Sequence, residues 1–469
     1  MARLRATYRH PGATEYLRPG GAWDVPTLDA LLSKRDARAA DRDAVARIAG
    51  GLRARGVKRG DVVAWQLPNS PEAVFLFRAC WRLGAIAGPI HHQAGAAEVT
   101  RMLDALAPAV VVEPDTALPS SDPVTESAAR PADLAVALFT GGSTGEPKAV
   151  LHTHRGLAHK ALTMARVHGL RRRDAVLMPA PLAHVSGLLN GVLVPGAAGM
   201  RTVLMPRWDP ERALHLIETE RISFMVGPPT FFVQIMAASG FSPERVASLR
   251  LVSSGGAGVT PAFVVDACER LGARVKRSYG STEAPTVTSS TARDSLRRAA
   301  ENDGRPVGQC ELRVAPGGEL WLRGPELFAG YADATQTTEA ATHGWFATGD
   351  LATVDARGWL TIVGRKRDVI IRGGENIAAA EVEETLVAHP AIREAVAVGY
   401  PDEVLGERVC AFVISEAPFG LEAARSWFTE RGVARFKTPE RIVRVDVLPV
   451  LAAGKVDRAA LRRIAADRC

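Results

Sequence analysis

Ala135-Val136-Ala137-Leu138-Phe139 runs without a polar residue into Thr140-Gly141-Gly142-Ser143-Thr144-Gly145-Glu146-Pro147-Lys148. A short apolar run bounded by glycine reads as a buried strand, and the glycine-rich segment after it as a loop. The three glycines let backbone N–H groups turn toward one point and form an anion nest. The hydroxyls of Ser143 and Thr144 and the ammonium of Lys148 complete a cradle suited to a polyphosphate. The spacing is not that of the nucleoside triphosphatase P-loop, because Lys148 follows Glu146-Pro147 and Ala149 comes next, with no hydroxyl residue.

On both sides of this segment, short apolar runs alternate with helical patterns. Val62–Leu67, Ile86–Ile90 and Val110–Val112 read as strands, with helices over Pro71–Leu83 and Ala96–Leu106. The rhythm returns at Ala175–Met178, Thr202–Met205, Phe224–Val226 and Leu251–Ser253. It predicts an α/β fold with a mostly parallel, doubly wound sheet. Pro119–Asp133 reads as a surface connection, and the polar Ser289–Asp303 as a mobile insert. Beyond Arg305, short antiparallel strands give way to an α+β pattern after the charged Arg365–Asp368. The expected organisation is a large N-terminal domain, 1–364, with a β-rich subdomain, and a small C-terminal domain, 365–469.

A chain of 469 residues can bury more than one core. No apolar run reaches the length of about 18 residues that a membrane span needs. The N-terminus mixes Arg and His and has no apolar signal core, so the cytoplasm is the expected location. The five cysteines are scattered, which fits reduced thiols better than disulfides or zinc. The net charge of +7 is spread as arginine, with no basic block of the kind nucleic-acid binding needs. Lysines are few, which draws attention to Lys148 and to Lys455 in Ala452-Ala453-Gly454-Lys455.

Other segments come after the phosphate loop in a fixed order. They are Pro181–Gly187, Ser254–Ala257, Tyr279-Gly280-Ser281-Thr282-Glu283, Thr348-Gly349-Asp350-Leu351, Gly364–Asp368 and Leu448–Arg458. Together they resemble the motifs of the adenylate-forming superfamily of acyl-CoA synthetases, nonribosomal peptide adenylation domains and firefly luciferase. The resemblance covers residues 50 to 465. It implies a chain that uses ATP, Mg²⁺ and CoA, makes an acyl-AMP from a hydrophobic, aromatic or alicyclic carboxylic acid, and passes the acyl group to a thiol. The expected acceptor is CoA, with a carrier-protein phosphopantetheine or an amine as the alternative, and the expected enzyme is a monomer or homodimer.

The same resemblance implies residue roles. Thr140, Gly142, Ser143, Thr144, Gly145 and Lys148 would hold the phosphates. Tyr279 would stack adenine, with Gly255, Gly256, Ala257 and Gly280 allowing close backbone approach on its other face. Asp350 and Arg365 suit ribose hydroxyls. Thr282 would donate to the α-phosphate, and Glu283 would hold Mg²⁺ directly or through water. His184, Val185, Gly187, Phe224, Gly227, Gly256 and Gly280 would line the acyl pocket, with His184 near the carboxylate. That pocket shows no Asp or Lys, which argues against an amino-acid substrate. Arg372, Gly373 and Gly374 would line the CoA tunnel, and Arg367 stands at the hinge. This chain departs from the usual pattern at Gly141, where Ser is common, at Ala149, where Gly is common, and at Arg367, where Asp or Lys is usual.

A carboxylate is already ionised, so its attack on the α-phosphorus needs no general base. The demand is for positive charge on the pentacoordinate transition state, and Lys455 is the expected source. Lys455→Ala should therefore lower acyl-AMP formation by about 100-fold or more, while thiolation of supplied acyl-AMP continues. Single-turnover rates of the two half-reactions check this, and normal adenylation by the variant would refute the assignment.

Overall fold

The computed structural model describes residues 4–33, 39–114, 116–140, 147–256, 258–373, 375–450 and 456–467. The chain divides into two compact units, Met1–Leu312 with Trp321–Ala347, and Arg313–Leu320 with Thr348–Cys469. The expected hinge segment, Arg365–Asp368, lies inside the second unit.

The first unit holds two sheets. One contains β1 (Val62–Trp65), β2 (Ile86–Pro89), β3 (Val110–Val112), β4 (Leu134–Thr140) and β5 (Lys148–Thr153), in the order β5-β4-β2-β1-β3. The strands β4, β2, β1 and β3 run parallel, β5 returns antiparallel to β4, and the short strand Gly330–Tyr331 adds antiparallel to β5. The other sheet contains β6 (Ala175–Met178), β7 (Arg201–Leu204), β8 (Phe224–Gly227), β9 (Leu251–Ser254) and β10 (Arg274–Tyr279). All five are parallel, in the order β10-β9-β8-β6-β7. This is the expected doubly wound α/β arrangement.

The sequence explains why these strands are parallel. β1, β2, β6 and β9 are buried at every position, as strands covered by helices on both faces must be. The intervening helices start on matched signals. Ser70, Asp209 and Thr260 cap the helices Pro71–Leu83, Pro210–Thr219 and Pro261–Leu271, each with proline in the first turn. Gly84 ends the first of these with φ +67°. Trp65, Phe77 and Trp81 pack edge and face between that helix and the sheet, and Trp81 Nε1 donates to the Ala135 carbonyl at 3.0 Å.

The polar stretch Ser289–Asp303 differs from the expectation of a mobile insert. It contributes Ser289 to the short strand Thr288–Ser289, which pairs antiparallel with both β10 and Arg305–Pro306, and forms the helix Leu296–Glu301. Arg277 on β10 holds Asp303 in a buried pair at 2.9 Å, and Lys276 donates to the Ser290 carbonyl at 2.6 Å. Its two ends satisfy buried cations of β10, while Arg293, Ser295, Arg297 and Glu301 between them face solvent.

The second unit has an α+β body. Its sheet runs Glu375–Ala378, Val369–Arg372, Gly406–Ser415, Ile392–Asp402, with Arg441–Arg444 parallel on Gly406–Ser415. Strand alternation divides its core in two. Val409, Ala411 and Val413 face the helices Ala379–Val387 and Leu421–Glu430, while Cys410 and Phe412 face the last helix, Arg458–Asp467. No described helix is long and apolar enough to cross a membrane.

Candidate active site

The expected phosphate loop springs from the tip of the β4–β5 hairpin. Gly142, Ser143, Thr144 and Gly145 lie outside the described residues, but both ends of the loop are placed. Thr140 and Lys148 are register partners across the hairpin mouth. The Lys148 ammonium lies 5.4 Å from the ring centre of Tyr331, on the neighbouring short strand. The Tyr331 hydroxyl in turn donates to Glu283 Oε1 at 2.7 Å. Burial, and then the adjacent carboxylate, push the Tyr331 phenol far up, so it stays a donor. Lys148 and Glu283 are far apart in sequence, and the structure brings them to one residue that sequence reading missed.

The loop after β10 is fixed from below. Lys160, wholly buried on the helix His154–Val167, donates to Glu326 at 2.8 Å and to the Thr286 carbonyl at 3.0 Å. His152 Nε2 donates to the Thr282 carbonyl at 2.7 Å. Burial holds the His152 imidazole down to about 4, so it is neutral at physiological pH with its proton on Nε2. Phe328 N donates to the Glu283 carbonyl at 2.8 Å. The N-terminal segment buttresses the same stretch: His10 Nδ1 donates to Gly324 O at 3.1 Å and Trp23 Nε1 to Pro325 O at 3.0 Å.

Gly227, Ser254 and Tyr279 end three neighbouring parallel strands, the edge where doubly wound sheets bind ligands. The glycines there are steric requirements. A Cβ on Gly255 would lie 2.4 Å from the Ser278 carbonyl, and one on Gly280 would lie 2.3 Å from Thr286 N. Gly256 has φ +78°, and Ala257 lies outside the described residues.

His184 begins the short helix Val185–Leu188 after a turn that Asn69 organises. Asn69 Nδ2 donates to Ala180 O at 2.9 Å, and its Oδ1 accepts from Leu182 N at 2.9 Å. A Cβ on Gly187 would lie 2.0 Å from Pro181 O, so the turn closes only on glycine. The ring of His91 packs 5.1 Å from His184 and stacks on His92 at 4.9 Å. Burial brings His91 down to about 4. Phe224 is not with these residues: it begins β8, at the opposite end from Gly227, and is fully buried against His168.

In the second unit Asp350 and Arg365 are register partners, joined by an ion pair at 2.9 Å. Asp350 N also donates to Thr348 Oγ1 at 3.0 Å. Arg367 is exposed, although partial desolvation lowers its guanidinium, and Asp368 beside it holds Arg462 at 3.0 Å. Gly373 turns with φ +58°, and its N donates to Leu405 O at 2.7 Å. Arg372 does not reach into open space: its Nε is engaged by Glu440 at 2.5 Å. Gly374 and Lys455 lie outside the described residues. The loop carrying Lys455 leaves from a pinned neck, with Val450 bridged to Val456 and Asp457 N donating to Pro449 O at 2.8 Å.

Lys148, Tyr331 and Glu283 meet at the hairpin mouth, and Gly227, Ser254 and Tyr279 end strands at the edge where doubly wound α/β proteins bind ligands. The chain belongs to the AMP-binding enzyme family: it matches that family over residues 40–128 and 113–332, and the AMP-binding enzyme C-terminal domain over 381–455. It is an AMP-forming ligase. It is 33% identical over 473 residues to the medium-chain fatty-acid–CoA ligase of Escherichia coli K12, covering 89% of this chain and 83% of that one. It is 34% identical over 515 residues to triostin synthetase I of Streptomyces triostinicus, covering 97% of each. ATP-bound MatB from Rhodopseudomonas palustris superposes with a TM-score of 0.87 at 25% identity, covering 94% of this chain and 100% of that one.

Asp350→Asn keeps the side-chain volume and removes the charge. It should raise the KM for ATP by about tenfold, the scale of one charged hydrogen bond, and leave the KM for the acid unchanged. Initial-rate kinetics with each substrate varied check this, and an altered acid preference at unchanged ATP affinity would place Asp350 elsewhere.

Proposed function

We propose that this protein is an ATP-dependent acyl-CoA synthetase that activates a hydrophobic, aromatic or alicyclic carboxylic acid as acyl-AMP and transfers the acyl group to CoA. The observation that carries the reading is the Lys148–Tyr331–Glu283 cluster at the mouth of the β4–β5 hairpin, next to the glycine-lined ends of β8, β9 and β10. In it, Lys148 and the loop before it hold the β- and γ-phosphates, and Thr282 faces the α-phosphate. Tyr279 and the Gly255–Gly256 backbone hold adenine, and Asp350 and Arg365 hold the ribose. His184, Val185, Gly187 and Gly227 shape the acyl pocket.

The residues fit a magnesium ion bound in the way that ion prefers, through a single carboxylate plus substrate phosphates. Tyr331 occupies only one Glu283 oxygen, and no described cluster of three or more His, Cys, Asp or Glu side chains forms a metal cage. When bound there, the ion would neutralise phosphate charge. Lys455 adds the ammonium that balances the transition state. For the second half-reaction, residues 365–469 turn about Arg367, Lys455 leaves, and Arg372–Gly374 comes in to line the path of the thiol. This chemistry suits a cytoplasmic enzyme with free access to ATP and CoA.

One observation favours a second reading, in which the acceptor is a carrier-protein phosphopantetheine or an amine. Glu440 already engages Arg372, the cation on the proposed tunnel loop that would attract a CoA phosphate. Pyrophosphate release across a panel of acids, with and without CoA, separates the readings. The proposal expects acid-dependent pyrophosphate release and acyl-CoA as product. Acid-dependent release with no acyl-CoA, and acyl transfer to a carrier protein or amine instead, would replace CoA as acceptor. Pyrophosphate release independent of any acid would end the ligase reading.

A further inference from the structure

We propose that Tyr331 is a positioning residue of the phosphate site: it takes the Lys148 ammonium on its ring face and the Glu283 carboxylate on its hydroxyl, and so keeps the two opposite charges apart. The inference deepens the proposed function, since it rests on reading Lys148 and Glu283 as the phosphate-facing and metal-facing groups.

Strand register sets the geometry. Tyr331 pairs with Val150 on β5, and Lys148 lies two residues before Val150 on the same face. Lys148 is therefore a diagonal cross-strand neighbour of Tyr331, within reach of its ring. The ring has little freedom. It is 5% exposed, its backbone N donates to Thr337 Oγ1 at 2.8 Å, and Phe328 packs edge-on at 5.0 Å. From that fixed position its hydroxyl reaches Glu283, whose backbone is held by Phe328 N.

An ammonium and a carboxylate at the edge of a buried site attract strongly, because little water screens them. Paired directly, they would cancel, and each would be lost as a ligand for ATP or its metal. Among the described residues, no ion pair joins Lys148 to Glu283; each meets Tyr331 instead. An aromatic face offers a cation a weaker partner than a carboxylate does, so Lys148 can leave it for a phosphate. The hydroxyl occupies one Glu283 oxygen and leaves the other for the metal. Phenylalanine would keep the spacer and lose the hydrogen bond, and leucine would lose both functions.

The test uses the full-length enzyme with manganese(II) as the metal probe and α,β-methylene-ATP as the nucleotide, read by electron paramagnetic resonance. Tyr331→Phe should weaken manganese binding in the presence of nucleotide by about tenfold, the scale of a charged hydrogen bond, with the KM for acid unchanged. In a Glu283→Gln background the same substitution should have no further effect, because Tyr331 acts through Glu283. Tyr331→Leu should in addition weaken metal-free nucleotide binding, as Lys148 swings to Glu283. Wild-type manganese affinity in Tyr331→Phe, or an equal loss in the Glu283→Gln background, overturns the proposal. Parallel loss of acid and metal affinity overturns it too, since a general packing defect would then explain the change. If the wild-type enzyme adenylates no acid yet its metal–nucleotide affinity depends on Tyr331 as described, the adenylation reading falls and the positioning role stands.

Discussion

A lysine and a glutamate with no access to water sit at the centre of the first unit. Lys160 and Glu326 are both fully buried, and Lys160 also donates to the Thr286 carbonyl. Burying such charges is tolerable only when they satisfy each other, and removing one partner typically costs about 3–5 kcal/mol. The pair joins three segments that are distant in sequence. Lys160 belongs to the helix that follows β5, Glu326 to the stretch that leads into Tyr331, and Thr286 to the loop that carries Thr282 and Glu283. These are the segments that present Tyr331, Thr282 and Glu283, and β5, which leads into the helix, begins at Lys148. The contacts above the pair, Tyr331 to Glu283 and His152 to Thr282, can be short because their backbones are already clamped below.

Where the ion pair clamps, the glycines make room. Gly255, Gly280 and Gly187 each sit where a Cβ would strike a backbone atom of another segment. Their effect is to let the ends of β9 and β10, and the turn before His184, approach more closely than any side chain allows. Asn69 does the converse with polar contacts, drawing the ends of β6 and β7 together through Met178, Ala180 and Met205. Its side chain is buried and meets its hydrogen-bonding demand from four backbone groups. A ligand edge built this way is preorganised, with its geometry fixed before substrate arrives.

The sequence was most legible where periodicity and capping act locally. The strand–helix rhythm from Val62 to Val112 and from Ala175 to Ser254 is close to what forms, because proline-led, capped helices and unbroken apolar runs leave little choice. Gly255 and Gly280 were legible as places of close backbone approach, because a Cβ there would strike the backbone of a neighbouring segment. What escaped was long-range. Tyr331 reads as one aromatic among many until β5 puts it beside Lys148, and nothing near Lys160 in the sequence announces Glu326 as its partner. His152 holds the Thr282 backbone, a partner 130 residues away that its local sequence does not announce. Ser289–Asp303 was half legible: its middle faces solvent as its polarity suggests, whereas Arg277 and Lys276 on a buried strand hold its ends at Asp303 and Ser290. Resemblance put Phe224 with Gly227 in the acyl pocket, although the two sit at opposite ends of a strand.

In the proposed function, the clamped, glycine-lined edge serves attack by a carboxylate oxygen on the α-phosphorus of ATP. Isotopic labelling tests that most directly. A substrate acid carrying heavy oxygen in its carboxylate is turned over with ATP and acceptor, and the nucleotide and phosphate products are analysed by mass spectrometry. Attack at the α-phosphorus followed by acyl transfer leaves one carboxylate oxygen on the phosphate of AMP, so labelled AMP and unlabelled pyrophosphate are the predicted result. Label in inorganic phosphate with ADP as the nucleotide product would mean attack at the γ-phosphorus, and would contradict the account.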